Sequence, residues 1–170
     1  MSAQDSLYHE AAETYGPALE RLARAYESDS ELRRDLLQDI HVALWRSFAG
    51  YNGRCSVRTW VYRVAHNVAA THVIRRRRAR PAMLVGLEEL ENMPAESVPP
   101  DRAAVLERLL ELIQRLQPLE RQVILSYLEG LDAASIGEIT GISPVNVATR
   151  IHRIKRILAR WFQEGVPNAG

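Results

Sequence analysis

The sequence predicts an all-α chain of two small helical domains, residues 1–80 and 102–164, joined by a flexible acidic, Pro-rich linker over 81–101. Three observations carry that expectation. Apolar residues recur three and four positions apart through most of the first eighty residues and again after Asp101, as in helices that each bury one stripe. Between these stretches lies PAMLVGLEELENMPAESVPPD, with Pro81, Pro94, Pro99 and Pro100, five acids and no Lys or Arg. Such a composition argues for a tether with at most a transient turn at Leu87 to Leu90. Charge divides at the same places, with a balance of +4 over 1–80, −5 over 81–101 and +2 over 102–170, so the formal net charge of +1 conceals three different electrostatic characters.

Composition also excludes several functions. The single cysteine, Cys55, leaves no intramolecular disulfide and no multi-cysteine zinc site, and it suits a reducing, cytoplasmic setting. No apolar run approaches the ~20 residues of a spanning helix, and the start MSAQDSLYHE has no signal-peptide core, so no membrane association is expected. His9, His41, His66, His72 and Cys55 show no zinc spacing, which leaves no metal site in the reading. There is no Gly-rich phosphate loop. His, Asp and Ser residues fall on separate helices with no motif tying them into a catalytic group, so neither enzyme activity nor a cofactor is expected. Cys55, between Arg54 and Arg58, is a candidate oxidant sensor.

Taken in order, Leu7, Ala11, Tyr15, Leu19, Leu22 and Tyr26 follow helical spacing, with Gly16 and Pro17 marking a break between two helices. The next helix opens on a capping box of Ser28 and Glu31. It buries Leu32, Leu36, Ile40, Ala43, Leu44 and Phe48, while its other side aligns Asp35, Gln38, Asp39 and Val42, neighbours on a helix surface. That face is either solvated or a docking surface. Gly50 and Gly53 end the helix, and Ser56 caps a further one. Its expected stripe is Val57, Trp60, Val61, Val64, Val68 and His72, leaving Thr59, Tyr62, Arg63, His66, Asn67 and Ala70 on another face. Aromatic, cationic and amide groups together suit unstacked bases, because rings and guanidinium planes stack on bases while Asn and Arg bond their edges. The run Arg75, Arg76, Arg77, Arg78 and Arg80 that follows concentrates like charge as a polyanion partner would require.

In the second half, Val105, Leu106, Leu109, Leu110, Leu112, Ile113 and Leu116 crowd one side of a helix. Pro118 starts another that is expected to bury Leu119, Val123, Ile124, Tyr127 and Leu128 before Gly130. Residues 133–140 then form a short helix. Gly141 suits a left-handed turn, Ser143 and Pro144 begin a longer helix, and Gly137 allows a close crossing. This is helix-turn-helix chemistry. The long helix buries Val147, Ile151, Ile154 and Leu158, which leaves Asn146, Thr149, Arg150, His152, Arg153 and Arg156 for solvent or DNA. Asn146 and Arg150 can bond base edges, Thr149 and His152 bases or phosphates, and Arg153 and Arg156 chiefly phosphates.

The stretch DLLQDI, ALWRSF, a Gly-containing loop, SVRTWVYRVAHN and an Arg-rich exit resembles the second conserved region of bacterial sigma factors of the extracytoplasmic-function class. EGLDAASIGEITGISPVNVATRIHRIKRIL is similar to the fourth region of the same class. The chain departs from the family pattern at Thr71 and Ile74, and again at Ser135, Asn146, Ala148 and Thr149. The resemblance implies that Asp35, Gln38, Asp39 and Val42 dock on core RNA polymerase, whose beta-prime and beta subunits are the expected protein partners. It implies that Tyr51, Asn52, Arg54, Trp60, Tyr62, Arg63, His66 and Asn67, backed by Arg75, Arg76 and Arg77, recognise and open the minus-ten promoter element. The Asn146 to Arg156 set is implied to read the minus-thirty-five element. In the family an inhibitor protein commonly clamps the two domains, so an anti-sigma factor is a further expected class of partner.

Two alternatives belong to other classes. A stand-alone helix-turn-helix regulator would need a dimer to span two half-sites, and no dimer helix is apparent; a monomer when free favours the sigma reading. A helical adaptor would make no use of Arg150 and Arg153 on DNA.

Overall fold

The computed structural model describes residues 1–79, 86–94 and 101–163, without the side chains of residues 162 and 163. Arg80 of the arginine run, most of the expected linker and the last position of the second expected domain lie outside the described residues. Those described are helical or in turns, with no strand among them.

The first bundle is three helices. α1 (Ala3–Tyr26) is continuous through Pro17, where a break between two helices was expected. The missing N–H of a proline weakens a helix interior, but Ala18, Leu19, Leu22 and Ala23, all buried just beyond it, hold the C-terminal half against the bundle. A capping box of Ser2 and Asp5, unforeseen in the sequence, closes the N-terminus. α2 (Ser30–Ser47) is capped by Asp29, not by Ser28: the Asp29 carboxylate accepts from the amides of Glu31 and Leu32, each at 3.0 Å. Its buried stripe is Leu36, Ile40 and Leu44, continued by Phe48 in a short 3₁₀ turn. α3 (Val57–Ala79) starts where Ser56 Oγ accepts from Thr59 N at 3.1 Å. Burying a Leu, Ile or Phe side chain contributes about 1.5–3 kcal/mol, so this stripe fixes the α2 register against α1 and α3.

α3 differs most from its expected pattern. Val61, Ala65, Ala69 and Val73 face the first core, but Thr59, Tyr62 and His66 are buried as well. The helix is covered on two sides because the second bundle packs against it.

That bundle contains α5 (Arg102–Arg115), α6 (Pro118–Leu128), α7 (Ala133–Thr140) and α8 (Pro144–Gln163). α7 ends at Gly141, φ +81°, whose amide donates to the Gly137 carbonyl at 2.8 Å. A Cβ at Gly137 would lie 2.8 Å from the Ile142 carbonyl oxygen, so the turn depends on glycine there. Ser143 Oγ accepts from Asn146 N at 3.2 Å and caps α8. The buried side of α8 is Val147, Ile154, Ile157 and Trp161, with Ile151 and Leu158 at its edges.

α6 corrects two expected core positions: Tyr127 and Leu128 are exposed, whereas Arg121, Gln122 and Ser126 are buried. In the linker, a helix α4 (Leu87–Asn92) replaces the expected transient turn, because Leu87 and Leu90 find an apolar seat beside Ile154, Ile157 and Trp161.

The two bundles meet along a dry seam. Arg121 is almost fully buried; its guanidinium donates to the carbonyls of Leu116 (2.9 Å), Gln114 and Tyr26 (3.4 Å) and lies 5.1 Å from the centre of the Tyr26 ring. Burial brings its pKa down to about 10, so it stays charged at neutral pH. His66 sits beside it, one ring nitrogen paired with Tyr26 Oη at 2.9 Å and the other with Ser126 Oγ at 3.3 Å.

Candidate polymerase and promoter interfaces

Asp35, Gln38, Asp39 and Val42 are all exposed along one side of α2. The helix is fixed from behind by its buried stripe, and α1 steadies its C-terminal end: Trp45 Nε1 donates to Asp5 Oδ1 at 2.9 Å and Gln4 donates to the Trp45 carbonyl at 2.7 Å. A shallow groove between α2 and α3 brings Asp39 and Val42 together with Asn67, Thr71 and Arg75. Residues read from the sequence as separate protein-facing and nucleic-acid-facing sets therefore share a groove.

The eleven candidate strand-opening residues fall into groups. In the loop before α3, Tyr51 Oη donates to the Cys55 carbonyl at 2.6 Å, and the Tyr51 ring meets Trp60 edge-on with centroids 5.3 Å apart. Trp60 Nε1 donates to Ser47 Oγ at 3.0 Å, so both rings are half-buried in a preset corner. Asn52 and Arg54 project outward at the tip, where the Arg54 amide donates to Asn52 Oδ1 at 3.1 Å and Gly53 takes φ +75°. At the far end of α3, Arg75 and Arg77 are exposed, whereas Arg76 pairs at 3.2 Å with Glu27, a buried carboxylate that also bonds His72 at 2.7 Å.

Tyr62, Arg63 and His66 lie instead on the seam, which corrects the expectation of an open face. Tyr62 Oη donates to Glu129 at 3.3 Å, and Arg63 to the Glu138 carbonyl at 3.0 Å. Glu129 also takes a two-pronged bond from Arg21 (2.7 and 2.9 Å), while Arg58 donates to its backbone carbonyl. The Arg21 bond holds the Glu129 carboxyl below its usual range. Burial pushes Tyr62 up to about 12 and His66 down to about 3, so in this arrangement His66 is neutral and offers nucleic acid no charge. A single-helix pattern could not have shown this, since it carries no information about a second bundle.

On α8, Asn146, Thr149, His152 and Arg156 are exposed. Arg150 is tied back: its Nε donates to Asn146 Oδ1 at 3.1 Å and its Nη1 to Glu120 of α6. Arg153 Nε donates to Glu91 Oε1 of α4 at 2.9 Å. Sequence reading missed Glu120 and Glu91 as counter-ions of the α8 arginines; for Glu91 the acidity of the linker was the available signal. It also passed over Val145, 77% exposed beside Asn146 and fit to meet a thymine methyl.

Among the described residues no cluster of His, Cys, Asp and Glu could hold a metal ion, and no helix is long and apolar enough to cross a membrane.

A cationic helix-turn-helix and a basic, aromatic-bearing helical bundle, both among the described residues, are together a layout suited to handling DNA. The Sigma-70 region 2 family matches residues 11–79 and the Sigma-70 region 4 family residues 106–158. The RNA polymerase sigma factor CarQ of Myxococcus xanthus is 31% identical over 153 residues, covering 89% of this chain and 86% of the relative. The ECF RNA polymerase sigma factor SigL of Mycobacterium tuberculosis is 29% identical over 168 residues, covering 96% and 93%. Among solved structures, the sigma factor RpoE of Bartonella quintana, in complex with the anti-sigma factor NepR, shares the fold with a TM-score of 0.68 at 18% identity, covering 91% of this chain and 95% of that one. The chain belongs to the RNA polymerase sigma factors of the extracytoplasmic-function class. It binds core RNA polymerase and directs transcription initiation at promoter DNA. Sigma factors generally are non-enzymatic initiation factors.

Proposed function

We propose a division of labour within that activity. Residues 1–80 form the polymerase-binding and strand-opening domain, residues 81–101 the linker, and residues 102–164 the upstream-element domain. The exposed Asp35, Gln38, Asp39 and Val42 grip the polymerase. Tyr51, Asn52, Arg54, Trp60 and Asn67 engage the minus-ten element, with Arg75, Arg76 and Arg77 on its phosphates. Tyr62, Arg63 and His66 join them once the seam has parted. Stacking of an unpaired base on an aromatic ring is worth about 1–3 kcal/mol, enough to bias local melting. Asn146, Thr149, Arg150, His152, Arg153 and Arg156 engage the minus-thirty-five element. The free protein is a cytoplasmic monomer, and an anti-sigma factor that clamps both bundles is its natural antagonist, as NepR is a partner of RpoE.

The observation that best supports this reading is the exposure of two separate sets: Asp35, Gln38, Asp39 and Val42 on α2, and Asn146, Thr149, His152 and Arg156 on α8. The test is transcription by core polymerase and this chain on a randomised promoter library. Asp35→Arg with Asp39→Arg abolishes polymerase association under this scheme, whereas Arg150→Ala retains association and loses upstream-element preference. Retained association in the double variant would overturn the assignment of α2.

A further inference from the structure

The linker was expected to be a tether, yet its acidic centre is folded onto the helix assigned to DNA. α4 seats Leu90, fully buried, and Leu87 on Ile154, Ile157 and Trp161. From that seat Glu91 reaches Arg153, and Arg160 donates to the carbonyls of Glu91 and Met93. Arg153 feels Glu88 as well, and its pKa is raised chiefly by the bond to Glu91. The Glu91 carboxyl is correspondingly lowered, first of all by that same bond.

We propose that α4 is an intramolecular competitor for promoter DNA: its carboxylates occupy the place of phosphates on α8 and must leave before Arg153 and Arg160 can take the duplex. This rests on the reading of α8 as the upstream-element helix.

The contrast with Arg150 supports it. Arg150 is also paired with a carboxylate, but Glu120 belongs to the helix-turn-helix scaffold, and its side chain is 12% exposed. Glu91 and Arg153 are 40% and 39% exposed, and Glu91 stands on a helix of only six residues. A half-solvated ion pair contributes little by itself, so a phosphate, which offers the guanidinium the same two-oxygen geometry with more charge, displaces it readily. Apparent DNA affinity is then the intrinsic affinity multiplied by the fraction of molecules in which α4 is detached. Polymerase that draws the linker away would unmask α8 only once the sigma factor is loaded.

The test measures binding of the full-length chain to a short fluorescent duplex bearing the upstream element selected in the promoter library. Glu88→Gln with Glu91→Gln should tighten binding about 5-fold, since the masking pair is lost while the apolar seat remains. Adding Arg153→Ala should remove that gain. Glu10→Gln with Glu13→Gln, an equal change of charge at exposed positions of α1, should leave affinity unchanged. Leu90→Ser, which removes the seat itself, is an independent second variant. If the α4 double variant binds as the parent does while Arg153→Ala alone weakens binding, the competitor is overturned and the reading of α8 stands. Equal tightening by the α1 variant overturns it in favour of long-range charge. If neither Arg153→Ala nor Arg156→Ala weakens binding, the reading of α8 falls first, and the competitor with it.

Discussion

Where α3 meets α6 the polar groups are dry; where α4 meets α8 they are half in water. At the first contact, Arg121, His66, Tyr26 and Ser126 are buried and bond one another or backbone carbonyls, Arg121 Nε alone of the guanidinium nitrogens lacking a partner. At the second, two leucines anchor a helix of six residues whose ion pair with Arg153 is part-exposed. The first is made like a protein core and the second like a latch. Opening the seam therefore requires something that compensates several desolvated groups together, as a polymerase surface could, whereas the latch yields to competition for Arg153 and Arg160.

The sharpest way to break the comparison is Arg121→Ala. It leaves the carbonyls of Leu116, Gln114 and Tyr26 without their donor in a buried place and should cost about 2–4 kcal/mol in urea unfolding. A cost below about 1 kcal/mol would show that the seam is wetter than described.

Acid should act next in size. The folded-state pKa of His66 is depressed to about 3, so between the ordinary histidine value near 6.5 and that value the unfolded chain binds the extra proton. Stability contributed by keeping His66 neutral is complete above pH 6.5 and is lost as pH falls through that window. Going from pH 7 to pH 5 should cost about 2 kcal/mol, and a His66→Gln chain should lack that part of the pH slope in paired urea titrations.

Arg21→Ala comes third. The Arg21–Glu129 bond closes the rim of the seam at 2.7 Å, but Arg21 is 60% exposed, so the expected loss is about 0.5 kcal/mol, diminishing with added salt. Smallest is Glu91→Gln, for which the thermal midpoint should not move measurably. A clear fall in that midpoint would make the latch part of the core and erase the distinction.

Much of this was legible in the sequence. The stripes of α2 and α8 were readable because each packs one face, whereas Leu106 of the expected α5 stripe is exposed; Gly137, Gly141 and Ser143 announced the helix-turn-helix because each does something other residues do poorly there. The exposed set on α2 was likewise readable as what the stripe left over, and so were Asn146, Thr149, His152 and Arg156 on α8, but not the pairing that ties back Arg150 and Arg153. Illegible were the features that depend on two bundles meeting. Tyr62 and His66 have polar ends and were placed on an open face; Arg121 gave no sign of being buried, since its partners are main-chain carbonyls. The continuity of α1 past Pro17 is of the same kind, since the packing that overrides the proline comes from helices far along the chain.

Trp161 carries one more consequence. Its indole is 7% exposed, lies in the cluster that seats Leu87 and Leu90, and has the Arg115 guanidinium 5.8 Å from the ring. Trp45 and Trp60 belong to the first bundle, so a chain carrying Phe in their places would report from α8 alone. Its emission would shift to the red as α4 departs, giving an optical clock for linker release during assembly with polymerase.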